Sequence, residues 1–221
     1  FVPESFPSVS LDEIKNLASK SYNERAYFVL SKFLSDFTEE ELKKCIDSAY
    51  TKEKFETESI APVYKLNDTT YFLELWHGPT CAFKDMALQI LPHLLTTSMK
   101  KTNEDKEIVI LVATSGDTGK AALEGFKDVA GTRIIVFYPD NGVSEIQKLQ
   151  MVTQEGNNVS VAAVKGNFDD AQSGVKKIFT DVDYKNLLDR NQFKLSSANS
   201  INWGRLVPQI VYYFSSYAEL V

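Results

Sequence analysis

Residues 108–119 read IVILVATSGDTG, an aliphatic run that passes directly into a turn of small, hydroxyl-bearing and glycine residues. Such an uninterrupted run is typical of a strand that is buried on both faces, as in a parallel sheet. The pattern of strand followed by helix recurs along the chain, with strand-like runs at 133–138 and 159–164 and helical spacing at 121–127, 144–154 and 168–179. This alternation predicts right-handed βαβ units and an α/β fold, an open parallel sheet with helices on both faces.

The first 75 residues have a different pattern and are predicted to form a mainly helical region with a β-hairpin. Thr38 and Glu41 have the spacing of a capping box, and apolar residues follow them at helical intervals. Residues 62–66 and 69–75 are short β-prone runs separated by a polar Asn-Asp turn. We therefore divide the chain into an N-terminal region, 1–75, and an α/β region, 76–221.

The composition of the chain argues against several classes of partner and binding site. The chain has 221 residues and a net charge of −6, which argues against nucleic acid or an anionic membrane as a partner. No apolar run approaches the ~18 residues of a membrane span, and no secretory leader opens the chain. Two cysteines without a disulfide pattern favour a reducing cytoplasm, and two histidines without a ligand cluster predict no metal site.

Lys84 stands at a predicted loop-to-helix junction, because an apolar-periodic segment, 86–99, follows it with a kink expected at Pro92. Taken alone, it is a solvated lysine at a helix start. The positive end of a helix dipole and apolar neighbours both disfavour an ammonium group. Lys84 is therefore also a candidate amine nucleophile toward an aldehyde.

The turn at 114–119 and the stretch NSINWGR at 199–205 are candidate anion sites. Free N–H groups at the start of a helix favour a carboxylate at the first, although a capped tight turn explains the same residues. Amides, a hydroxyl and Arg205 suit a phosphate at the second, where the alternative is a helix cap and a surface arginine. A P-loop matches poorly, because Thr114 stands where its first glycine belongs and Ala121 where its Mg-binding hydroxyl belongs.

Three motifs together resemble the threonine synthase family of pyridoxal-phosphate (PLP) enzymes of fold type II: WHGPT at 76–80, AFKD at 82–85 and ATSGDTG at 113–119. The resemblance covers almost the whole chain and is densest between residues 75 and 119. It makes 76–221 part of a PLP-binding catalytic region that is truncated at its C-terminal end. It also implies a small-molecule substrate, O-phospho-L-homoserine, which water converts to L-threonine and phosphate in a carbon–oxygen lyase reaction.

The resemblance also implies roles for individual residues. Lys84 carries PLP as a Schiff base and moves protons on the substrate, and Phe83 and Asp117 contact the cofactor. The implied substrate contacts are the carboxylate site Thr114, Ser115, Gly116 and Thr118 and the phosphate site Asn199, Ser200 and Arg205.

One element of the family pattern is absent from the sequence. The loop GNFG that holds the PLP phosphate in the family has no counterpart, since GNF at 166–168 lacks the last glycine and occurs too early. The chain also opens on phenylalanine and stops inside an apolar segment. Both features predict a fragment that is inactive by itself.

Other functions stay open at this stage. A serine or threonine dehydratase of the same fold type would share Lys84, and a phospholyase-like paralogue would keep the motifs without forming threonine. A nucleotide-binding module is the alternative from another class.

Overall fold

The computed structural model describes residues 2–221, which divide into two compact units. The first unit comprises the chain up to Leu94 together with Trp203–Val221, and the second comprises Leu95–Asn202. This division differs from the sequence-based one, because residues 76–94 and the last helix belong to the first unit. Segments that are distant in sequence join there through a shared apolar core.

The elements follow one another in a simple order. They are α1 (Leu11–Asn16), α2 (Tyr22–Leu30), α3 (Glu39–Ala49), β1 (Val63–Lys65), β2 (Tyr71–Leu73), α4 (Asp85–Leu88), α5 (Leu91–Lys101), β3 (Glu107–Ala113), α6 (Asp117–Phe126), β4 (Thr132–Pro139), α7 (Glu145–Val152), β5 (Val159–Val164), α8 (Phe168–Thr180), α9 (Val182–Arg190), β6 (Phe193–Ser196) and α10 (Trp203–Leu220).

The first unit is mainly helical and contains a β-hairpin, as predicted. Helices α1, α2 and α3 begin with capping boxes at Ser10, Ser21 and Thr38, in each of which a glutamate three residues later closes the box. Strands β1 and β2 pair antiparallel, with Val63 opposite Leu73. The predicted helix start at Thr38 and the predicted hairpin are thus confirmed.

Tyr50 ties the helical layer to the segment that carries Lys84. Its buried hydroxyl donates a 2.6 Å hydrogen bond to the carbonyl of Met86 in α4, and its ring makes an edge contact with Tyr22. Burial raises the pKa of the Tyr50 hydroxyl, so the group stays a donor. The start of α4 is therefore fixed by the core of the first unit.

The prediction of a single helix at 86–99 is wrong in detail. The structure has two helices, α4 and α5, separated by a turn at Gln89 and Ile90. Pro92 lies in the first turn of α5, where its missing N–H costs nothing, whereas in a continuous helix its ring would meet the carbonyl four residues earlier. The proline therefore sets a break before it rather than a kink within one helix.

The second unit is built on a four-stranded parallel sheet in the order β5-β4-β3-β6. Ile110 of β3 pairs with Ile134 of β4 on one side and with Ser196 of β6 on the other. Helix α8 packs on the face of β3 that carries Val109 and Leu111, and α6 also packs on β3 and β4. Successive strand residues point to opposite faces, so helices cover the sheet on both, as predicted.

Three further boundaries differ from the sequence prediction or were not predicted. Helix α6 begins at Asp117 rather than at residue 121, so half of the predicted turn is its first turn. Strand β6 and helix α9 were not predicted. β6 has only four residues, two of them apolar, and this is too short a pattern to indicate a strand. β6 directly precedes the candidate phosphate site at 199–205.

The described part of the chain contains neither a candidate membrane span nor a candidate metal cluster. None of the helices between residues 2 and 221 combines the length and apolar character needed to span a bilayer. Within the same residues, no group of three or more His, Cys, Asp or Glu side chains could hold a metal ion.

Candidate active site

Lys84 lies immediately before α4, at the loop-to-helix junction that the sequence predicts. The side chain is partly exposed, and Nζ lies 4.2 Å from the centroid of the Phe83 ring. That ring is 41% exposed, unusual for a phenylalanine in a well-packed loop. The first unit thus presents an amine and an aromatic face side by side at a helix start.

The loop before Lys84 is held in place by the buried carboxylate of Asp85. One Asp85 oxygen accepts a hydrogen bond from the Thr80 N–H at 2.8 Å, and the other accepts one from the Thr80 hydroxyl at 2.7 Å. A side chain on Gly78 would place its Cβ 2.6 Å from the Asp85 Cβ, so only glycine allows the loop to close this tightly. Thr80 and Asp85 were not predicted from the sequence as parts of the site. The sequence feature that could have indicated them is the presence of a threonine and an aspartate, both uncommon in protein cores, within a single motif.

In the second unit, Thr114 organises the turn between β3 and α6. Its buried Oγ1 accepts hydrogen bonds from the N–H groups of Gly116 at 3.0 Å and Gly119 at 2.9 Å, and it donates to the Gly116 carbonyl at 3.1 Å. The hydroxyl of Thr114 is therefore engaged in the turn itself. Ser115 is exposed and Thr118 is partly exposed beside it.

Five of the predicted substrate-binding residues line one cavity of about 800 Å³ in the second unit: Thr114, Ser115, Thr118, Asn199 and Ser200. The parallel sheet explains their proximity. β3 and β6 are neighbours, and the loops that follow them leave the sheet at the same edge. The Asn199 amide also donates a 3.2 Å hydrogen bond to the carbonyl of Ala113 at the end of β3, 86 positions earlier in the chain. Residues that are distant in sequence thus form one site.

Helix α8 supplies another wall of this cavity, which was not predicted from the sequence. The α8 residues are Phe168, Gln172, Val175, Lys176, Phe179 and Thr180. Their spacing of three and four residues marks one face of a helix, and the polar side chains Gln172 and Lys176 interrupt an otherwise apolar stripe. Lys176 Nζ lies 3.1 Å from Gln172 Oε1, so a cation and an amide stand together at the wall. This interruption of the apolar stripe is the sequence feature that could have indicated the wall.

Arg205 lies in the first turn of α10, in the first unit. It is only 4% exposed, and its Nη1 has no hydrogen-bond partner within residues 2–221. Burial lowers the pKa of the guanidinium below its usual value, although arginine stays charged at neutral pH. A buried cationic donor without an acceptor is costly, and an anion would satisfy it.

Asp117, the predicted cofactor contact, is the first residue of α6 and is exposed. Its carboxylate accepts a 2.6 Å hydrogen bond from the Gln147 amide of α7. Gly116, the residue before it, has φ +146°, a conformation that favours glycine. The other predicted residues divide between the units, with Lys84, Phe83 and Arg205 in the first and the remainder in the second.

The chain is similar to known threonine synthases. A family profile described as "Threonine synthase N terminus" matches residues 1–50. Threonine synthase of Pseudomonas aeruginosa is 40% identical over 221 residues, covering 100% of this chain and 45% of that protein. The human protein "Threonine synthase-like 1" is 41% identical over 230 residues, covering 100% of this chain and 30% of its own length.

Solved structures show the same similarity. The crystal structure of PLP-bound threonine synthase from Brucella melitensis superposes with a TM-score of 0.87 at 35% identity, covering 99% of this chain and 46% of that one. Threonine synthase from Escherichia coli gives a TM-score of 0.82 at 34% identity, covering 99% of this chain and 47% of that one. The chain thus spans less than half the length of these relatives. Over its whole length it is similar to part of the threonine synthases, and the resemblance seen in the sequence is confirmed.

Proposed function

We propose that the complete protein is a PLP-dependent threonine synthase that converts O-phospho-L-homoserine and water to L-threonine and phosphate. One observation carries the proposal, the structural similarity of 99% of this chain to a threonine synthase whose structure contains PLP. The motif lysine, Lys84, stands in the described structure as a partly exposed amine at a helix start. Such an amine is suited to a Schiff base.

The residues of this chain fit the cofactor. Lys84 Nζ would hold it covalently, the exposed Phe83 ring offers an apolar surface beside the amine, and Asp117 offers a carboxylate at the start of α6. When bound, PLP supplies an electron sink that stabilises negative charge on the substrate's carbon atoms. The Asp85–Thr80 hydrogen bonds keep the Lys84 backbone in one conformation.

The substrate's two anionic groups match the two kinds of site on this chain. The turn at 114–118 and the loop after β6 place Ser115, Thr118, Asn199 and Ser200 around one cavity, where hydroxyl, amide and helix-start N–H groups can bind a carboxylate. The guanidinium of Arg205, whose Nη1 lacks an acceptor within the described residues, is suited to the phosphate, which it can grip with two parallel N–H donors.

Lys84 Nζ would then carry out the proton transfers. Once the substrate's amine has taken its place on the cofactor, Nζ would remove one proton from Cα and one from Cβ. Phosphate would leave with the electron pair of the Cγ–O bond, and protons would return to Cγ and Cα. Water adds at Cβ, so one carbon–oxygen bond breaks and one forms, and the overall reaction is that of a carbon–oxygen lyase acting on a phosphate ester. The fixed backbone of the 78–85 loop favours this role, because proton transfer requires a well-placed donor.

Two finer proposals follow. Residues 1–221 cover less than half of the relatives' length, so we propose that they are inactive alone and that a glycine-rich loop elsewhere in the complete protein holds the cofactor phosphate. The acidic composition and the two cysteines, which lack the spacing of a disulfide framework, favour a cytoplasmic enzyme acting on a small molecule.

The decisive experiment supplies the complete PLP-loaded protein with O-phospho-L-homoserine, L-serine or L-threonine and identifies the products. Equal amounts of threonine and inorganic phosphate from the first compound support the proposal. A 2-oxo acid and ammonia from serine or threonine would indicate a dehydratase instead. Release of phosphate without threonine would indicate a phospholyase-like paralogue, an outcome included because "Threonine synthase-like 1" proteins match this chain at 41% identity.

A further inference from the structure

Gln147 of α7 uses the two ends of its side-chain amide for different purposes. Its Oε1 accepts hydrogen bonds from the Ser144 N–H at 3.2 Å and from the Ser144 hydroxyl at 3.1 Å, which closes the capping box of α7. Its Nε2 donates to Asp117 Oδ1 at 2.6 Å. A backbone N–H can only donate, so the amide oxygen must face Ser144 and the nitrogen must face the carboxylate. The cap therefore orients Gln147 toward Asp117.

The turn before α6 is shaped to admit this side chain. Gly116 has φ +146°, and a Cβ at that position would lie 2.4 Å from Cδ and 2.4 Å from Nε2 of Gln147. The backbone conformation disfavours any other residue, and a side chain there would push the end of Gln147 away from its place beside Asp117. Gly116 thus leaves the space in which Gln147 forms its hydrogen bond with Asp117.

The contact restrains an exposed carboxylate. Asp117 opens α6, where the helix dipole favours a carboxylate but does not select one side-chain rotamer. A short hydrogen bond from a donor on a second helix does select one. Because α6 and α7 pack together, the bond also links the turn at 115–118 to a rigid neighbour.

We propose that Gln147 is a positioning residue that fixes the Asp117 carboxylate, and with it the 115–118 turn, for the bound cofactor. This inference rests on the proposed function, in which the Asp117 carboxylate contacts the cofactor. Gln147 itself need not touch cofactor or substrate. Its contribution is to hold the Asp117 carboxylate in one orientation before PLP binds.

Two single variants of the complete protein separate this role from that of a helix cap. Gln147→Glu keeps an oxygen that can accept from Ser144 but replaces the donor to Asp117 by a second carboxylate. Ser144→Ala removes the hydroxyl of the cap but keeps the donor. We expect Gln147→Glu to weaken PLP binding on the order of tenfold and Ser144→Ala by less than about threefold, measured by titrating each apoprotein with PLP and following the cofactor's absorbance. Equal losses for the two variants would overturn the proposal.

A second experiment measures the effect of Gln147→Glu in a protein that also carries Asp117→Asn. The amide that this substitution introduces can donate to the carboxylate introduced by Gln147→Glu, so the double variant rebuilds the hydrogen bond with donor and acceptor exchanged. In the Asp117→Asn background, Gln147→Glu should cost less than about threefold in PLP affinity, whereas it costs about tenfold beside Asp117. The same loss in both backgrounds would show that Gln147 acts elsewhere.

The outcome also separates the positioning role from the proposed function. If the unmodified protein forms no PLP adduct at Lys84, the proposed function fails and the role of Gln147 fails with it. If PLP binds at Lys84 but Gln147→Glu leaves its affinity and absorbance unchanged, only the positioning role is overturned.

Discussion

Asp85 accepts two hydrogen bonds from the single residue Thr80, one from its backbone N–H at 2.8 Å and one from its hydroxyl at 2.7 Å. Both partners are buried, and Lys84 precedes Asp85 directly. A carboxylate without exposed surface is costly unless donors surround it, so the pair holds the loop in one conformation. The Lys84 amine thus owes its placement to the buried carboxylate beside it.

Replacing Asp85 should destabilise the protein. Asp85→Ala leaves the buried N–H of Thr80 without its acceptor, and we expect the free energy of unfolding to fall by about 2–3 kcal/mol in urea denaturation. Asp68→Ala is the control, because Asp68 forms an ion pair with Lys65 at the surface, and it should cost less than about 1 kcal/mol. A loss for Asp85→Ala no larger than that of the control would contradict this role of Asp85 in the loop.

Lys84 should be the residue that carries the cofactor. In the complete protein, Lys84→Ala should abolish turnover and the PLP adduct that borohydride traps, since Lys84 supplies the amine at this helix start. Peptide mapping of the trapped adduct provides the measurement. Lys120→Ala is a suitable control, because Lys120 pairs with Glu124 on α6. A trapped adduct at Lys120 would show that the assignment is wrong.

Arg205 should matter for the phosphate of the substrate more than for its amino-acid part. Arg205→Lys keeps a charge but loses the planar pair of donors, so binding of O-phospho-L-homoserine should weaken on the order of tenfold or more. Binding of L-homoserine, which has no phosphate, should change by less than about threefold, by the same argument. Calorimetry with both compounds gives the comparison. If both affinities fell equally, Arg205 would have a structural role.

Arg25 should be a main support of the helical unit. Its guanidinium donates to the carbonyls of Leu17 and Ala18, to the hydroxyl of Ser215 and to Glu219 at 2.8 Å, so it joins α2 to α10. Arg25→Met leaves several buried acceptors unsatisfied and should lower the free energy of unfolding by about 3 kcal/mol.

The control for Arg25 is an exposed pair in the same unit. Lys43→Met removes the partner of Glu39 on the surface of α3 and should cost less than about 0.5 kcal/mol. Similar unfolding midpoints for the two variants would mean that the Arg25 bonds contribute little.

His93 should make the protein less stable in mild acid. Burial, assisted by the charge of Lys54, lowers the pKa of His93 from 6.5 to about 4, so the folded protein disfavours the protonated ring. Between pH 6.5 and about 4 the unfolded state binds more protons, and the stabilising contribution of the neutral histidine is complete above pH 6.5 and is lost as the pH falls. His93→Gln should remove roughly 1–2 kcal/mol of this pH dependence after allowance for partial exposure. Parallel stability curves for the two proteins from pH 4 to 7 would refute the assignment.

Much of the fold was predictable because its signals are local. The aliphatic runs of β3 and β4 and the capping box at Thr38 each lie within a few residues. Strand β6 was missed, because four residues with two apolar side chains match no period clearly. Its place beside β3 comes from backbone pairing with a strand that lies far earlier in the chain.

The candidate site was predictable where a motif carries it and not where packing builds it. Lys84 and the 114–118 turn are contained in short motifs. The wall contributed by α8 was not predicted, because only the cavity shows that Gln172 and Lys176 lie beside Ser200. The link between Asp117 and Gln147 was hidden for the same reason, since 30 residues separate its partners.

The sequence by itself determined which residues are candidates for chemistry and which elements present them, because residue type, helix caps and the alternation of strand and helix are local properties. Only the tertiary structure decided which of these residues meet. Parallel pairing of β3 with β6 brings the turn at 114–118 and the loop at 199–200 to one edge, and the buried pair of Asp85 and Thr80 settles where Lys84 stands. Contacts of this kind depend on packing between distant segments, which no local pattern encodes.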